Sequence, residues 1–124
     1  NLLSASSLLA TSEVIILATR LGLDTNRVIE VLNQSTGQSN ATETKFPEFI
    51  LPKTFDSGFP VGLLRKDTSI ALRLAKEAKI PMHSGKIVEQ LLTYATLTGA
   101  ADWDHTEMIR ILEEWTGEKV QGDQ

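Results

Sequence analysis

Residues 1–22 read NLLSASSLLATSEVIILATRLG, an apolar run in which Leu2, Leu9 and Ile16 are joined on neighbouring faces by Leu3, Val14, Leu17 and Leu21. Apolar positions wrap this helix more widely than the single stripe of a surface helix. The pattern predicts a central helix from Leu2 to about Leu21, packed on several sides. Ser4, Ala5, Ser6, Ser7 and Ala10 keep its first turns slim, so another backbone or a ligand can approach closely. Gly22 supplies the stop, since glycine adopts the left-handed conformation that ends a helix. Ser4, Ser6, Ser7, Thr11, Ser12, Glu13 and Arg20 interrupt the run, which reads short of the ~20 mostly apolar residues of a bilayer span.

Outward from this helix the pattern stays helical. Asp24 or Thr25 caps a second helix carrying Val28, Ile29, Val31 and Leu32, and the polar string Asn33 to Asn40 ends it. A third runs from about Ala41 to Leu51 and is bent or shortened by Pro47. Asp56-Ser57-Gly58 reads as a turn that presents Phe55 and Phe59. A long fourth helix starts near Pro60, with Leu63, Leu64, Ile70, Ala71, Leu74 and Ala78 inward, and Pro81 ends it. The fifth spans about Ser84 to Leu97 and closes at Gly99, with a loop to Trp103. Asp104 or Thr106 caps the last helix, which bears Met108, Ile109, Ile111, Leu112 and Trp115 and stops at Gly117; Gln121 to Gln124 read as frayed. No stretch alternates as a strand does. The fold class is therefore all-α: an irregular bundle of five or six helices around the first, in a single domain over residues 1–124.

Composition narrows function. Twelve Lys and Arg against sixteen Asp and Glu leave a net charge of −4, without the basic footprint that phosphate-backbone binding requires, so nucleic acid is excluded as a partner. The absence of Cys removes disulfides, thiolate zinc sites and a cysteine nucleophile, and the cytoplasm is the expected compartment. No Gly-x-Gly-x-x-Gly, P-loop or Gly-x-Ser-x-Gly occurs. The chain opens at Asn1 with neither an initiator Met nor a basic leader, and reads as continuing upstream.

Few side chains carry chemistry. Asn1 and Ser4 share the open end of the first helix, where an amide can donate to a carboxylate and accept from a hydroxyl. Arg65-Lys66-Asp67 follows the turn Gly58-Phe59-Pro60-Val61-Gly62 and carries a cation that can meet a phosphate or a polar cofactor edge. Asp102 to Glu107 gathers three carboxylates and His105 but reads as helix capping, because no second His stands at metal-ligand spacing; no metal site is expected. His83 reads as a surface or capping residue, Glu13 as half of an ion pair or hydrogen bond, and Trp103 and Trp115 as core or interface aromatics. The sequons at Asn33 and Asn40 are chance matches in a chain without a secretory signal.

Three stretches together resemble one family. Asn1-Leu2-Leu3-Ser4-Ala5 runs to Glu13 and Arg20-Leu21-Gly22-Leu23-Asp24; Val31-Leu32-Asn33-Gln34-Ser35 follows; Phe55-Asp56-Ser57-Gly58-Phe59 leads to Leu63-Leu64-Arg65-Lys66-Asp67. With Ile80-Pro81-Met82 and Ala101-Asp102-Trp103, the pattern over about residues 1–117 resembles the helical, NAD-binding C-terminal domain of the β-hydroxyacid dehydrogenases, the 3-hydroxyisobutyrate dehydrogenase family. The resemblance implies a 6-phosphogluconate dehydrogenase C-terminal-like bundle and an N-terminal dinucleotide-binding domain as its missing partner. It also implies NAD or NADP as cofactor, a small β-hydroxyacid or semialdehyde as substrate, and a homo-oligomer built through the helices. No membrane role is implied.

By the same resemblance Asn1 orients the substrate, matching the Asn of a Lys-x-x-x-Asn motif whose general acid/base Lys falls before residue 1. Lys66 reaches the nicotinamide side of the cofactor, Phe59 lines the cleft and Asp67 anchors the start of its helix. The 124 residues alone are expected to be inactive, since neither the Lys nor the glycine fingerprint is among them. The competing readings are a stand-alone helical interaction module and a catalytically silent relative.

Overall fold

The computed structural model describes residues 1–122, which form six helices. These are α1 (Leu2–Arg20), α2 (Thr25–Leu32), α3 (Ala41–Ile50), α4 (Val61–Glu77), α5 (His83–Ala95) and α6 (Met108–Thr116), the last led by a single tight turn, His105–Glu107. Among the described residues there is no β-sheet, only an isolated bridge between Pro60 and Asp104.

α1 touches every other helix, although Leu3, Val14 and Leu17 of its apolar pattern remain exposed. It separates two hydrophobic clusters. Ala5 and Leu9 face Val61, Leu64, Val88, Leu92 and Met108 from α4, α5 and α6. Leu8, Ile15 and Ile16 face Ile29, Phe46, Ile50 and Ile109 on the other side. Ala5 and Ser12 are fully buried, so the small residues of α1 serve close packing. By length and composition α1 does pass for a membrane-crossing helix, contrary to the first reading of its polar interruptions. Both of its sides are instead covered by other helices.

α1 stops as expected: Gly22 is left-handed at φ 77°, and the Leu23 N–H returns to the Ala18 carbonyl at 2.9 Å. Arg20 then clamps this end to the far end of the chain, donating to Glu118 at 2.8 Å and to the Thr116 carbonyl at 2.6 Å. Glu13 is exposed and has no ion pair among the described residues, so its expected partner is not found.

α3 differs in kind from the expected bent α-helix. It is a wider π-helix, with the Leu51 N–H reaching five residues back to Phe46 at 2.8 Å. In this geometry residue 47 would donate to the Thr42 carbonyl, and Pro47 has no N–H to give. The Asn33 side chain takes that vacancy, its Nδ2 donating to the Thr42 oxygen at 2.9 Å. Asn33→Ala is therefore expected to lose about 1 kcal/mol by stranding a buried carbonyl. Pro47→Ala restores an N–H, so the double variant should recover most of that loss, a coupling that urea denaturation of the four proteins would measure.

Three further boundaries shift. α4 ends at Glu77, before Pro81, because Lys79 adopts φ 60° and lets the Ile80 N–H bond the Ala75 carbonyl at 2.9 Å. α5 continues as a wide helical turn through Ala100 where a loop was expected, with Gly99 at φ 99°. The C-terminal tail is not frayed through its described part: Val120 is buried, the Thr25 hydroxyl donates to the Gln121 carbonyl, and Gly122 sits so close to Leu51 that a Cβ would collide with its backbone. Residues 123 and 124 lie outside the described residues.

Candidate functional site

The start of α1, the turn before α4 and the entry to α6 meet at one end of the bundle. Asn1 occupies the cap position of α1, yet its side chain makes no cap hydrogen bond. Instead Nδ2 donates across to the Asp67 carboxylate on α4 at 2.5 Å. A carboxylate only accepts, so the amide orientation is settled: the oxygen of Asn1 and its second N–H remain free for a ligand. Two of the four residues named from sequence are thus joined directly.

Phe59 is half-buried rather than displayed. It packs against the α1–α4–α5 cluster and meets the His105 ring edge-on, with centroids 5.7 Å apart and planes at 89°. Phe55 packs into the opposite cluster, so the turn pins one aromatic into each half of the core. Lys66, beside Asp67, is exposed and has no ion pair among the described residues. Its neighbour Arg65 bonds Thr93 at 3.4 Å.

Asp104 organises the turn that carries Phe59, a role that sequence reading reduced to helix capping. Its carboxylate accepts from the Ser57 hydroxyl at 2.8 Å, the Gly58 N–H at 2.9 Å, the Phe59 N–H at 3.3 Å, the Thr106 N–H at 3.1 Å and the Thr106 hydroxyl. Glu107 closes a capping box by accepting from the Asp104 N–H at 3.1 Å. Burial pushes the Asp104 carboxyl up, and the hydrogen bonds from Thr106, Ser57 and Gly58 outweigh that push, leaving it below the ordinary carboxylate value. Backbone pairing completes the junction: Val61 and Gly62 donate to the Trp103 and Ala101 carbonyls at 2.8 and 2.9 Å, so the first turn of α4 is satisfied by the chain entering α6.

His105 is a structural histidine. Its Nδ1 lies 2.9 Å from the Phe59 carbonyl, which only accepts, so that nitrogen carries the proton. Burial, then the nearby Lys45 charge, lower its pKa; the Phe59 carbonyl and Asp104 pull the other way and lose. Among the described residues no group of three or more His, Asp or Glu stands ready for a metal. His83 is exposed at the start of α5. Trp103 stacks under Arg110 at 4.5 Å and packs on the core, whereas Trp115 is half-exposed against Tyr94 at 5.2 Å.

Lys45 was missed altogether. It lies on the buried side of α3 beside Phe46, only 7% exposed, and its ammonium donates to the Ser4 hydroxyl of α1. The signal was present in the spacing: Lys45 follows the buried Ala41 by four residues and so shares its face, with Phe46 and Ile50 buried beside it.

The geometry defines an all-helical bundle in which Asn1 is tied to Asp67, Lys66 is exposed and Phe59 is half-buried against His105. Its residues 1–112 match the family model described as the NAD-binding domain of NADP-dependent 3-hydroxyisobutyrate dehydrogenase. The chain belongs to that family, an NAD(P)-dependent oxidoreductase family. It is 30% identical over 124 residues to 2-(hydroxymethyl)glutarate dehydrogenase of Eubacterium barkeri, covering 100% of this chain and 41% of that protein. It is 28% identical over 123 residues to the human mitochondrial 3-hydroxyisobutyrate dehydrogenase, covering 92% of this chain and 36% of that protein. Among solved structures, Mycobacterium tuberculosis 3-hydroxyisobutyrate dehydrogenase with L-serine superposes with a TM-score of 0.80 at 25% identity, over 90% of this chain and 40% of that one. The chain thus spans about two fifths of the length of these proteins. The 6-phosphogluconate dehydrogenase C-terminal-like bundle expected from sequence is the fold observed.

Proposed function

We propose that this domain works joined to a dinucleotide-binding domain, as the helical half of an enzyme that moves hydride between a nicotinamide and a small β-hydroxyacid or its semialdehyde. NAD or NADP supplies the hydride acceptor or donor when bound; everything else falls to side chains. Asn1 orients the substrate oxygen through its free amide oxygen and N–H, and Asp67 holds that amide in place. Lys66 offers its unpaired ammonium to the cofactor, and Phe59 lines the cleft from its half-buried position. The residues present fit a nicotinamide cofactor as half of its cradle, a cation and an aromatic wall, with the phosphate-binding turn left to the other domain.

The observation that carries this reading is the Asn1–Asp67 hydrogen bond. It joins the side chain expected from sequence to orient substrate to a carboxylate of α4 and fixes its direction. The exposed apolar residues Leu17, Leu21, Tyr94, Leu97 and Trp115 provide a face for the partner domain or for a second copy of the protein.

The test is turnover by the full-length gene product with NAD or NADP and a panel containing 3-hydroxyisobutyrate and 2-(hydroxymethyl)glutarate. Asn1→Ala is expected to lower kcat/KM about 100-fold through lost orientation, and Lys66→Ala to raise the cofactor KM about 10-fold. Absence of nicotinamide-dependent turnover across the panel, or full activity in both variants, would overturn the proposal.

A further inference from the structure

The far end of α4 and the start of α5 form a basic lobe on an acidic chain. Residues 65–86 hold six of the twelve Lys and Arg but two of the sixteen Asp and Glu, so this segment is positive where the whole chain carries −4. Four of the six, Arg73, Lys76, Lys79 and Lys86, line one cleft of about 770 Å³ between α4 and α5. None of the four forms an ion pair among the described residues, where Glu89 is the one carboxylate in the lining.

Local helix chemistry accounts for only part of this gathering. Lys76 sits in the last turn of α4, where a cation complements the carbonyl end of the helix. Lys86 is the fourth residue of α5, near the end whose dipole disfavours a cation. Lys79 runs against backbone preference as well: α1 and α6 end on Gly22 and Gly117 in the left-handed conformation, whereas α4 ends on Lys79 at φ 60°, which a Cβ makes less favourable by about 1 kcal/mol. Two of the four lysine and arginine side chains thus hold their places in the cleft against local preference. Like charges gathered without counter-ions repel, and a bound polyanion relieves that repulsion.

The cleft has the size of a small-molecule site. One phosphate is met by one or two cations, so four call for at least two phosphate groups. Ile80, Pro81 and Met82 line the same cleft and offer an apolar surface to an organic group attached to them. A nucleic-acid backbone is tracked by a stripe of cations, and these four converge on a single cleft instead. Lys76 stands ten residues beyond Lys66, about 15 Å along α4, so the cleft is separate from the lysine assigned to the cofactor. We propose that this cleft binds a small compound carrying two or more phosphates, with Arg73, Lys76, Lys79 and Lys86 as its ligands. The site stands whether or not the dehydrogenase reading holds.

The test is calorimetric titration of the full-length protein with pyrophosphate at low salt, in excess NAD or NADP so that the cofactor's own phosphate contacts are filled. One saturable site per chain is expected, with orthophosphate binding about 10-fold more weakly. Lys76→Gln with Lys79→Gln should weaken pyrophosphate about 30-fold, and Lys76→Arg with Lys79→Arg should stay within about threefold of wild type. Lys53→Gln with Lys119→Gln removes the same charge from exposed residues elsewhere and should change Kd less than about twofold. ADP titrated beside pyrophosphate separates the sources of the ligand: tighter binding that Ile80→Ser abolishes assigns a nucleoside polyphosphate, and equal affinity assigns a free polyphosphate. Absence of saturable binding, its loss in excess cofactor, equal affinity for orthophosphate, or equal losses in the two Gln pairs would overturn the proposal.

Discussion

Asp104→Ala is expected to lower stability by about 3–4 kcal/mol and Tm by roughly 10 °C. Loss of the cap at the entry to α6 accounts for about 1 kcal/mol. The remainder comes from the donors left behind, since the Ser57 and Thr106 hydroxyls and the Gly58 and Phe59 N–H groups lose their shared acceptor at a partly buried junction. Asp104→Asn keeps one acceptor oxygen and should lose about half as much. The pH dependence follows from the sign of the shift. The folded carboxyl titrates below its unfolded value, so its contribution is fully present above about pH 4 and is lost as pH falls through the folded pKa. Wild type and Asp104→Ala should therefore converge in stability only in strong acid. Urea denaturation at neutral pH and near pH 3 measures both effects, and an unchanged gap at the two values would refute the assignment.

Phe46→Ala is expected to lose about 3–5 kcal/mol, the range for deleting a fully buried aromatic. Phe46 is completely buried in the cluster on the α2–α3 side of α1, and no neighbour is free to collapse into its place, because Leu8, Ile15, Ile50 and Ile109 are themselves fully or almost fully buried. Phe46 adjoins Lys45 on α3, so a loosened α3 should release the Lys45–Ser4 contact as well. Phe46→Leu, which keeps most of the volume, should lose far less; thermal unfolding of the pair separates packing from helix geometry.

Much of this was legible locally. The wide apolar pattern of residues 1–22 placed α1 at the centre, in contact with every other helix, while Leu3, Val14, Leu17 and Leu21 of that pattern stay exposed. Gly22 and Gly117 marked helix ends because both need the left-handed conformation they adopt, at φ 77° and 76°. Asp104 announced itself as a cap, a property of the four residues from Asp104 to Glu107. The roles of Asn1, Phe59, Lys66 and Asp67 came from family resemblance, and they remain proposals.

What the sequence by itself determined is the helical class, the order of helices and the central place of α1, all of which follow from apolar periodicity and from local capping chemistry. Tertiary structure alone decided which groups pair across helices. It tied the Asn1 amide to Asp67, 66 residues away, and it drew Asn33 to the Thr42 carbonyl that Pro47 leaves free. It set Lys45 of α3 against Ser4, 41 residues away, and it docked the tail at Val120 and Gly122 where local composition suggested fraying. The physical reason is common to these cases. A buried polar group must find a partner, and the sequence specifies the need for one, whereas the packing of distant helices chooses which group is near enough to answer it.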